Sequence, residues 1–364
     1  MHMPSDPRAS GLPLHTRALT VIVSRDADGG FHAQGDVIDL RKNGCVPSVD
    51  DVQPAGIIHL MKIGIDFDPA TLRMDRIVVE QPFVAVEPSA ATGGESCRDP
   101  APRLVAMTGE RLGAELNRKL SAGFGGPLGC SHLLTLFQLM ASCVPLAMAR
   151  EQQRTAREGT PTAPGTRFFR RSIYVDGQLL PDATIDVVIQ STDTYTRPPS
   201  PGNRGFERLV RVHEVKCFAG VERKRFGLER LEVVERERDP EREPGANDDA
   251  QGDPWTSHTD LFAPLVGHPM IPGMARRIFD RIGDDAAKHA LKDALLQLAP
   301  GFIQITAALM DQGVLRRRFA ERAAEPASPS VSGIGGMPDS CYMWRRDSPY
   351  TLARRETMLP LEKG

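Results

Sequence analysis

The chain is short of several things, and each shortage removes a class of function. Aromatic residues make up 5% of 364 residues, with two Trp and four Tyr. That is too few for a surface that stacks the bases of single-stranded nucleic acid. Charge of either sign is balanced, with 45 Lys and Arg against 47 Asp and Glu and a formal charge of -2. Bulk electrostatics therefore gives no pull towards a polyanion, and no nucleic-acid partner is expected. No run approaches 18 consecutive apolar residues, so no membrane partner is expected either. Residues 1–10 lack the basic-then-apolar order of a secretory signal. The six cysteines, at 45, 97, 130, 143, 217 and 341, form no Cys-x-x-Cys pair, which argues against a zinc ribbon. Their wide spacing argues against a disulfide framework and for a reducing compartment, so a cytoplasmic protein is expected. Common cofactor signatures are missing too. There is no P-loop, no strand–Gly-x-Gly-x-x-Gly–helix unit, no Gly-x-Ser-x-Gly elbow and no His-Glu-x-x-His. Nucleotide hydrolysis, Rossmann redox chemistry and common zinc proteolysis drop accordingly, and the expectation is an activity with no cofactor.

What is present is periodicity. Residues 14–41 read as two strands around an Asp-Gly-Gly turn, and 56–67 and 74–86 as two more. A Pro-, Gly- and Ser-containing loop follows at 87–102. The period then changes, and 104–120 and 130–148 carry helical spacing. After a linker at 151–166 the order returns: strands at 168–175, 184–191, 208–218 and 227–234, an acidic loop at 235–254, and helices at about 270–281 and 286–310. The expected class is α+β, with two similar units at 1–160 and 166–364. Each would be a mainly antiparallel sheet with helices packed on one face. The 74–80 and 229–235 segments resemble one another, as do 136–140 and 295–299, at spacings of 155–159 residues. The two units are expected to pack as the subunits of a homodimer would, about a pseudo-twofold axis. Oligomerisation of the whole chain is left open.

One segment, Gly125-Gly126-Pro127-Leu128-Gly129-Cys130-Ser131-His132-Leu133, resembles the Gly-Gly-x-x-Gly-Cys-Ser/Thr-His-Leu motif of a bacterial domain family of unknown function. His59 and Met61 in an apolar strand, Cys97 in the loop before the helices, and the 111–120 helix are similar to that family in the same order. The resemblance covers about 14–150. It implies a tandem duplication whose second copy is degenerate, because the second half reads Ile282-Gly283-Asp284-Asp285 at the corresponding turn. It implies no activity.

Four residues are read as catalytic candidates: His59, His132, Cys130 and Tyr342. Cys130 stands at the start of a helix, where backbone N–H groups and the helix dipole favour a thiolate. The bland alternative is a small buried thiol. His132 suits a base or a ligand, but residues two apart do not share a helix face. His59 is expected beside Ile57 and Met61 on one strand face, with Ile58, Leu60 and Lys62 on the other. Lys62, Trp344, Arg345 and Arg346 are read as substrate-binding candidates. Tyr342 and Trp344 beside two arginines concentrate scarce aromatics where they could wall a pocket and present a cation to an anion. A metal set of Cys130, His132, His59 and Cys97 is chemically sensible, but no spacing specifies it, and no metal is assigned. The leading expectation is a catabolic enzyme acting on an apolar, aromatic small-molecule substrate. Its best concrete form is a cofactor-independent carbon–carbon lyase of retro-aldol type, releasing formaldehyde or another small aldehyde. The alternatives are a metal-dependent enzyme using Cys130 and His132, and a non-catalytic ligand-binding or metallocluster scaffold.

Overall fold

Strand alternation sets the inner face of the sheet. In β1 (Leu12–Arg25), residues 15, 17, 19, 21 and 23 are buried, and in β2 (Phe31–Pro47) residues 33, 35, 37, 39 and 41 are. The apolar stripe thus runs without a break into His15 and Arg17 on one strand and Asp39 and Arg41 on the next. β3 (Val52–Phe67) and β4 (Met74–Phe83) complete a four-stranded meander. A second meander follows: β5 (Thr166–Leu179), β6 (Ile185–Thr196), β7 (Leu209–Val221) and β8 (Leu228–Arg238), with the short β9 (Thr256–Ser257) at its edge. In the computed structural model, which describes residues 11–200, 202, 204–238, 254–283, 285–319 and 338–358, these strands form one antiparallel sheet. Its order is β4-β3-β2-β1-β5-β6-β7-β8-β9. Most of the acidic 235–254 loop lies outside the described residues.

The α+β class is therefore correct, but there is one continuous sheet and not a separate sheet in each half. β1 and β5 would each leave an unpaired edge alone, and each covers the other along nearly its whole length. Strand registers in the two halves correspond. Arg17 pairs with Asp39 and Asp39 with His59, while Arg171 pairs with Asp193 and Asp193 with His213. The differences 171 − 17, 193 − 39 and 213 − 59 are all 154, and Ile63↔Val79 and Cys217↔Val233 keep the same offset. The strand offset is thus 154, one residue less than the overlay of 74–80 on 229–235.

Helices cover one face. α1 (Ala101–Val105), α2 (Ala114–Phe124) and α3 (Ser131–Glu158) lie over the first meander. α4 (Thr259–Phe262), α5 (Met274–Ile282), α6 (His289–Leu295) and α7 (Leu298–Phe319) follow the second, and α8 (Pro349–Met358) ends the described chain. α7 crosses the midline and packs on β1, β2 and β5. Residues 338–358 return to the first half, where the Tyr342 N–H donates to the Gly129 carbonyl at 2.8 Å. The division at 160/166 is crossed at both places.

Two segments, Ser131–Glu158 and His289–Gly313, are long and apolar enough by length and composition to cross a membrane, which the count of consecutive apolar residues did not reveal. Both are mostly buried within the protein. A helix laid across a wide sheet and flanked by other helices is apolar nearly all round for that reason.

Glycine permits the closest helix–sheet approaches. A Cβ at Gly35 would stand 2.6 Å from Met140 Sδ on α3. One at Gly177 would stand inside van der Waals contact of the fully buried Ile305 on α7. Gly177→Ala is therefore expected to lower stability by about 1–3 kcal/mol through overpacking. Chemical denaturation should show an earlier midpoint with an unchanged slope.

Candidate functional site

The site begins with the glycine turn between α2 and α3. A Cβ at Gly125 would collide with the Ser121 carbonyl, and one at Gly129 with the Phe124 carbonyl and ring. Gly126 has φ +56°, in the left-handed region that favours glycine. The turn leaves Cys130 as N-cap of α3 and His132 in its first turn. Leu133, Leu136, Phe137 and Met140 press the helix onto the sheet and bring His132 over β2.

β3 supplies the second histidine through an irregularity. The pairing passes from Asp39↔His59 to Leu40↔Ile57, so Ile58 is the extra residue of a bulge. Ile58 and His59 are both buried, while Ile57 is 45% exposed. The expected strict alternation fails here, because a bulge resets which face the chain presents.

Asp39 lies between the two histidines with no solvent exposure. Its Oδ1 accepts a hydrogen bond from His15 Nε2 at 2.9 Å. Its Oδ2 stands 2.8 Å from His132 Nε2 and 3.8 Å from His59 Nδ1. Arg17 Nη1 is 3.9 Å away. The His59 and His132 rings are 4.0 Å apart between centroids. Gln304, on α7, brings its side-chain amide to 3.2 Å from His132 Nε2. Burial by itself would raise the Asp39 carboxyl. The charge of Arg17 and the contacts of His132 and His15 overcome that and hold it well below the usual carboxylate range. Burial, with the neighbouring His132, holds His59 well below the usual imidazole value. Burial also lowers His15.

Cys130 does not match the thiolate expectation. Burial pushes its thiol up to about 12, outweighing backbone hydrogen bonds at the helix start. Its Sγ lies 3.8 Å from His132 Nδ1 and 3.7 Å from Met61 Sδ. The helix terminus is present, but the desolvation of a sulfur placed under the tail dominates.

His59, Cys130, His132 and Gln304 line a cavity of about 130 Å³, with Asp39 behind the two histidines. A cavity of roughly 150 Å³ holds a benzene molecule, so one aromatic ring is the matching size. Of the sequence candidates, His59, His132, Cys130, Tyr342 and Trp344 reach its wall. Three do not. Lys62 lies on the opposite face of β3, facing Asp36 and Glu80 across the strands. Arg345 is tied to Glu95 at 2.7 and 2.9 Å and stacks on the Tyr342 ring. Arg346 is largely exposed and pairs with Asp339 at 2.6 Å. The Tyr342 hydroxyl also donates to Glu95, so this side chain offers the cavity mainly its ring.

Among the described residues, the arginines on the cavity wall are Arg41 and Arg354. Arg41 Nη1 donates to Asp311 at 2.7 Å, and Arg354 Nη2 is 3.7 Å from the same carboxylate. Arg354 also lies over the Trp344 ring. His15, Arg17, Asp39 and Arg41 were missed from sequence although a signal existed: they extend the inward period of two. Gln304, Asp311 and Arg354 carried no such signal.

The corresponding strand positions of the second half are closed. Arg171 holds Asp193 through two bonds at 2.7 and 2.6 Å and also bonds Asp293. His213 turns to Glu235 at 2.7 Å. Phe169 occupies the place that His15 has in the first half, 154 residues earlier.

Residues 15–144 match the family model described as "Protein of unknown function (DUF2889)". That segment contains His15, Asp39, His59 and His132 and stops before α7 and the tail. No curated protein and no solved structure matches the chain.

Proposed function

We propose that the protein is a small-molecule enzyme whose substrate carries one aromatic ring and an anionic group, and that it cleaves a carbon–carbon bond in retro-aldol fashion. The observation that carries this reading is the meeting of a buried Asp–His–His cluster with a ring-sized cavity that also presents two guanidinium groups. Arg41 and Arg354 both approach the carboxylate of Asp311, which burial raises, and Arg354 also donates to the Pro47 carbonyl and the Tyr350 hydroxyl. Two guanidinium groups on the wall of one cavity suit a ligand carboxylate or phenolate. Trp344 and Tyr342 wall the ring.

In the reaction a histidine of the cluster takes the proton of a β-hydroxyl group. The bond between the α and β carbons breaks, its electron pair moves into the carbonyl as an enolate, and formaldehyde or another small aldehyde leaves. The proton then returns to the α carbon. Asp39 faces the imidazole that takes the proton, and its charge offsets part of the cost of placing a positive charge there. We place this activity in a reducing, cytoplasmic setting, in line with six free cysteines. We also read the two meanders as copies of one ancestral unit, supported by the shared offset of 154 residues, with the second copy converted to an ion network.

The test is a panel of aryl carboxylates with a β-hydroxy-carbonyl side chain, assayed for released aldehyde. Turnover supports the reading. Tight binding with every ligand recovered unchanged would replace it with a binding protein. Arg354→Gln should raise KM by about 10-fold or more with a smaller change in kcat, as expected for a lost charged hydrogen bond worth about 1.5–3 kcal/mol. Asp311 keeps Arg41 in that variant, so its buried charge is still paired.

A further inference from the structure

We propose that Asp39 Oδ2, His59 Nδ1 and His132 Nε2 bind one divalent first-row transition-metal ion. The inference rests on the function proposed above and revises one role in it: with His59 and His132 as ligands, the cluster would supply an electrophile for the substrate oxygen, and the proton would pass to a group other than these two imidazoles. It also differs from the expectation of no cofactor drawn from the sequence.

Four observations carry it. First, the three donor atoms come from three elements, β2, β3 and α3, and lie within 4.8 Å of one another. Around an ion with bonds of about 2.0–2.2 Å, neighbouring donor atoms stand roughly 3–3.5 Å apart. The distances from Asp39 Oδ2, 2.8 Å to His132 and 3.8 Å to His59, bracket that spacing. Second, among the described residues His59 Nδ1 is buried with no hydrogen-bond partner, and Asp39 Oδ2 has beside it the candidate ligands, His132 Nε2 at 2.8 Å and His59 Nδ1 at 3.8 Å, and Arg17 Nη1 at 3.9 Å. A buried polar atom without a partner is costly, and a cation between the three donor atoms would satisfy His59 Nδ1 and the carboxylate together. Third, the outer shell is already in place. His15 donates to the other carboxylate oxygen, Oδ1, as hydrogen bonds to a ligating carboxylate commonly do. Fourth, a remaining coordination position would face the cavity, beside the Gln304 amide, where a substrate oxygen can enter.

Two imidazoles and a carboxylate suit zinc or ferrous iron. Cys130 is not part of the set, because its sulfur lies beside His132 Nδ1, on the other side of the ring. A second trio, Asp26, His32 and Asp66, is more exposed and already paired, His32 to Asp66 at 2.6 Å and Arg76 to the same carboxylate. It serves as the control.

The experiment uses the full chain, stripped with a chelator and titrated with Zn²⁺ or Co²⁺. One ion per chain and a raised unfolding temperature are expected. His59→Gln, His132→Gln and Asp39→Asn should each lose that ion and that shift, while His32→Ala keeps both. X-ray absorption of the zinc-loaded wild type should show nitrogen and oxygen neighbours with imidazole scattering and no sulfur, and this readout holds even if a variant does not fold. No stoichiometric ion, loss of the ion in His32→Ala, or a sulfur shell would each overturn the assignment. An ion bound with this shell but no aldehyde released from any substrate would remove the lyase reading and leave the metal site standing.

Discussion

Asp39→Asn should lower turnover by about 10²–10⁴-fold, the range expected when a positioned acid–base or charge-stabilising group is lost. The substitution keeps size and one carbonyl acceptor for His15, so packing changes little. It removes the charge to which Arg17, His15, His59 and His132 all turn. The loss should fall mainly on kcat, because the anion contacts proposed for Arg41 and Arg354 are left in place. A fall in binding with kcat intact would show that Asp39 organises the pocket and does not serve the reaction. His15→Phe is the graded companion. It installs the residue found 154 positions later and removes one hydrogen bond to Oδ1. About 10–100-fold weaker metal binding or activity is expected, as for other outer-shell losses. Equal effects in the two variants would argue that the carboxylate charge itself does not matter.

Arg171→Met should cost about 3–5 kcal/mol of stability while leaving the first-half cluster assembled. Arg171 is almost completely buried and is bonded to Asp193 and Asp293 at once. Removing it leaves two buried carboxyls facing an apolar side chain. The cost should depend on pH. Burial already raises Asp293 to about 6 from an ordinary 3.8. A carboxyl raised in the folded state binds its proton more tightly there than in the unfolded chain. That favours folding below the unfolded value, and the advantage is lost as pH rises through about 6. Without Arg171 the Asp293 value rises further, so the deficit should be larger at pH 8 than at pH 5. Replacing the trio together, as Arg171→Met, Asp193→Leu and Asp293→Leu, should recover much of the stability, since apolar packing commonly matches a buried ion network. A single variant as stable as wild type at pH 8 would show that the network contributes little.

Particular residues show how far the sequence could be read. Strand alternation marked most of the inner face, and the glycine turn marked the start of α3 with Cys130 and His132. The bulge at Ile58 had no visible signal, so the face opposite His59 was assigned wrongly at Ile57 and Ile58. The charged tail misled more seriously. Arg345 and Arg346 sit beside Tyr342 and Trp344 in sequence, yet the short turn at Tyr342–Trp344 sends their guanidiniums to Glu95 and Asp339. The arginines that reach the cavity come from β2 and α8.

The sequence by itself determined the order of the eight long strands, the α+β class, the glycine turn and the two histidines set in apolar surroundings, though the helix expected over 104–120 is two, α1 and α2, and α4 and α8 were not foreseen. These are local properties: period, turn chemistry and the residue types at neighbouring positions act within a few residues of chain. Only the tertiary structure decided that Asp39 stands between His59 and His132, that the arginines on the cavity wall are Arg41 and Arg354, and that one sheet joins both halves. Arg41 meets Asp311 across 270 residues of sequence. Periodicity reports the face that a side chain takes, and packing alone chooses the partner that it finds there.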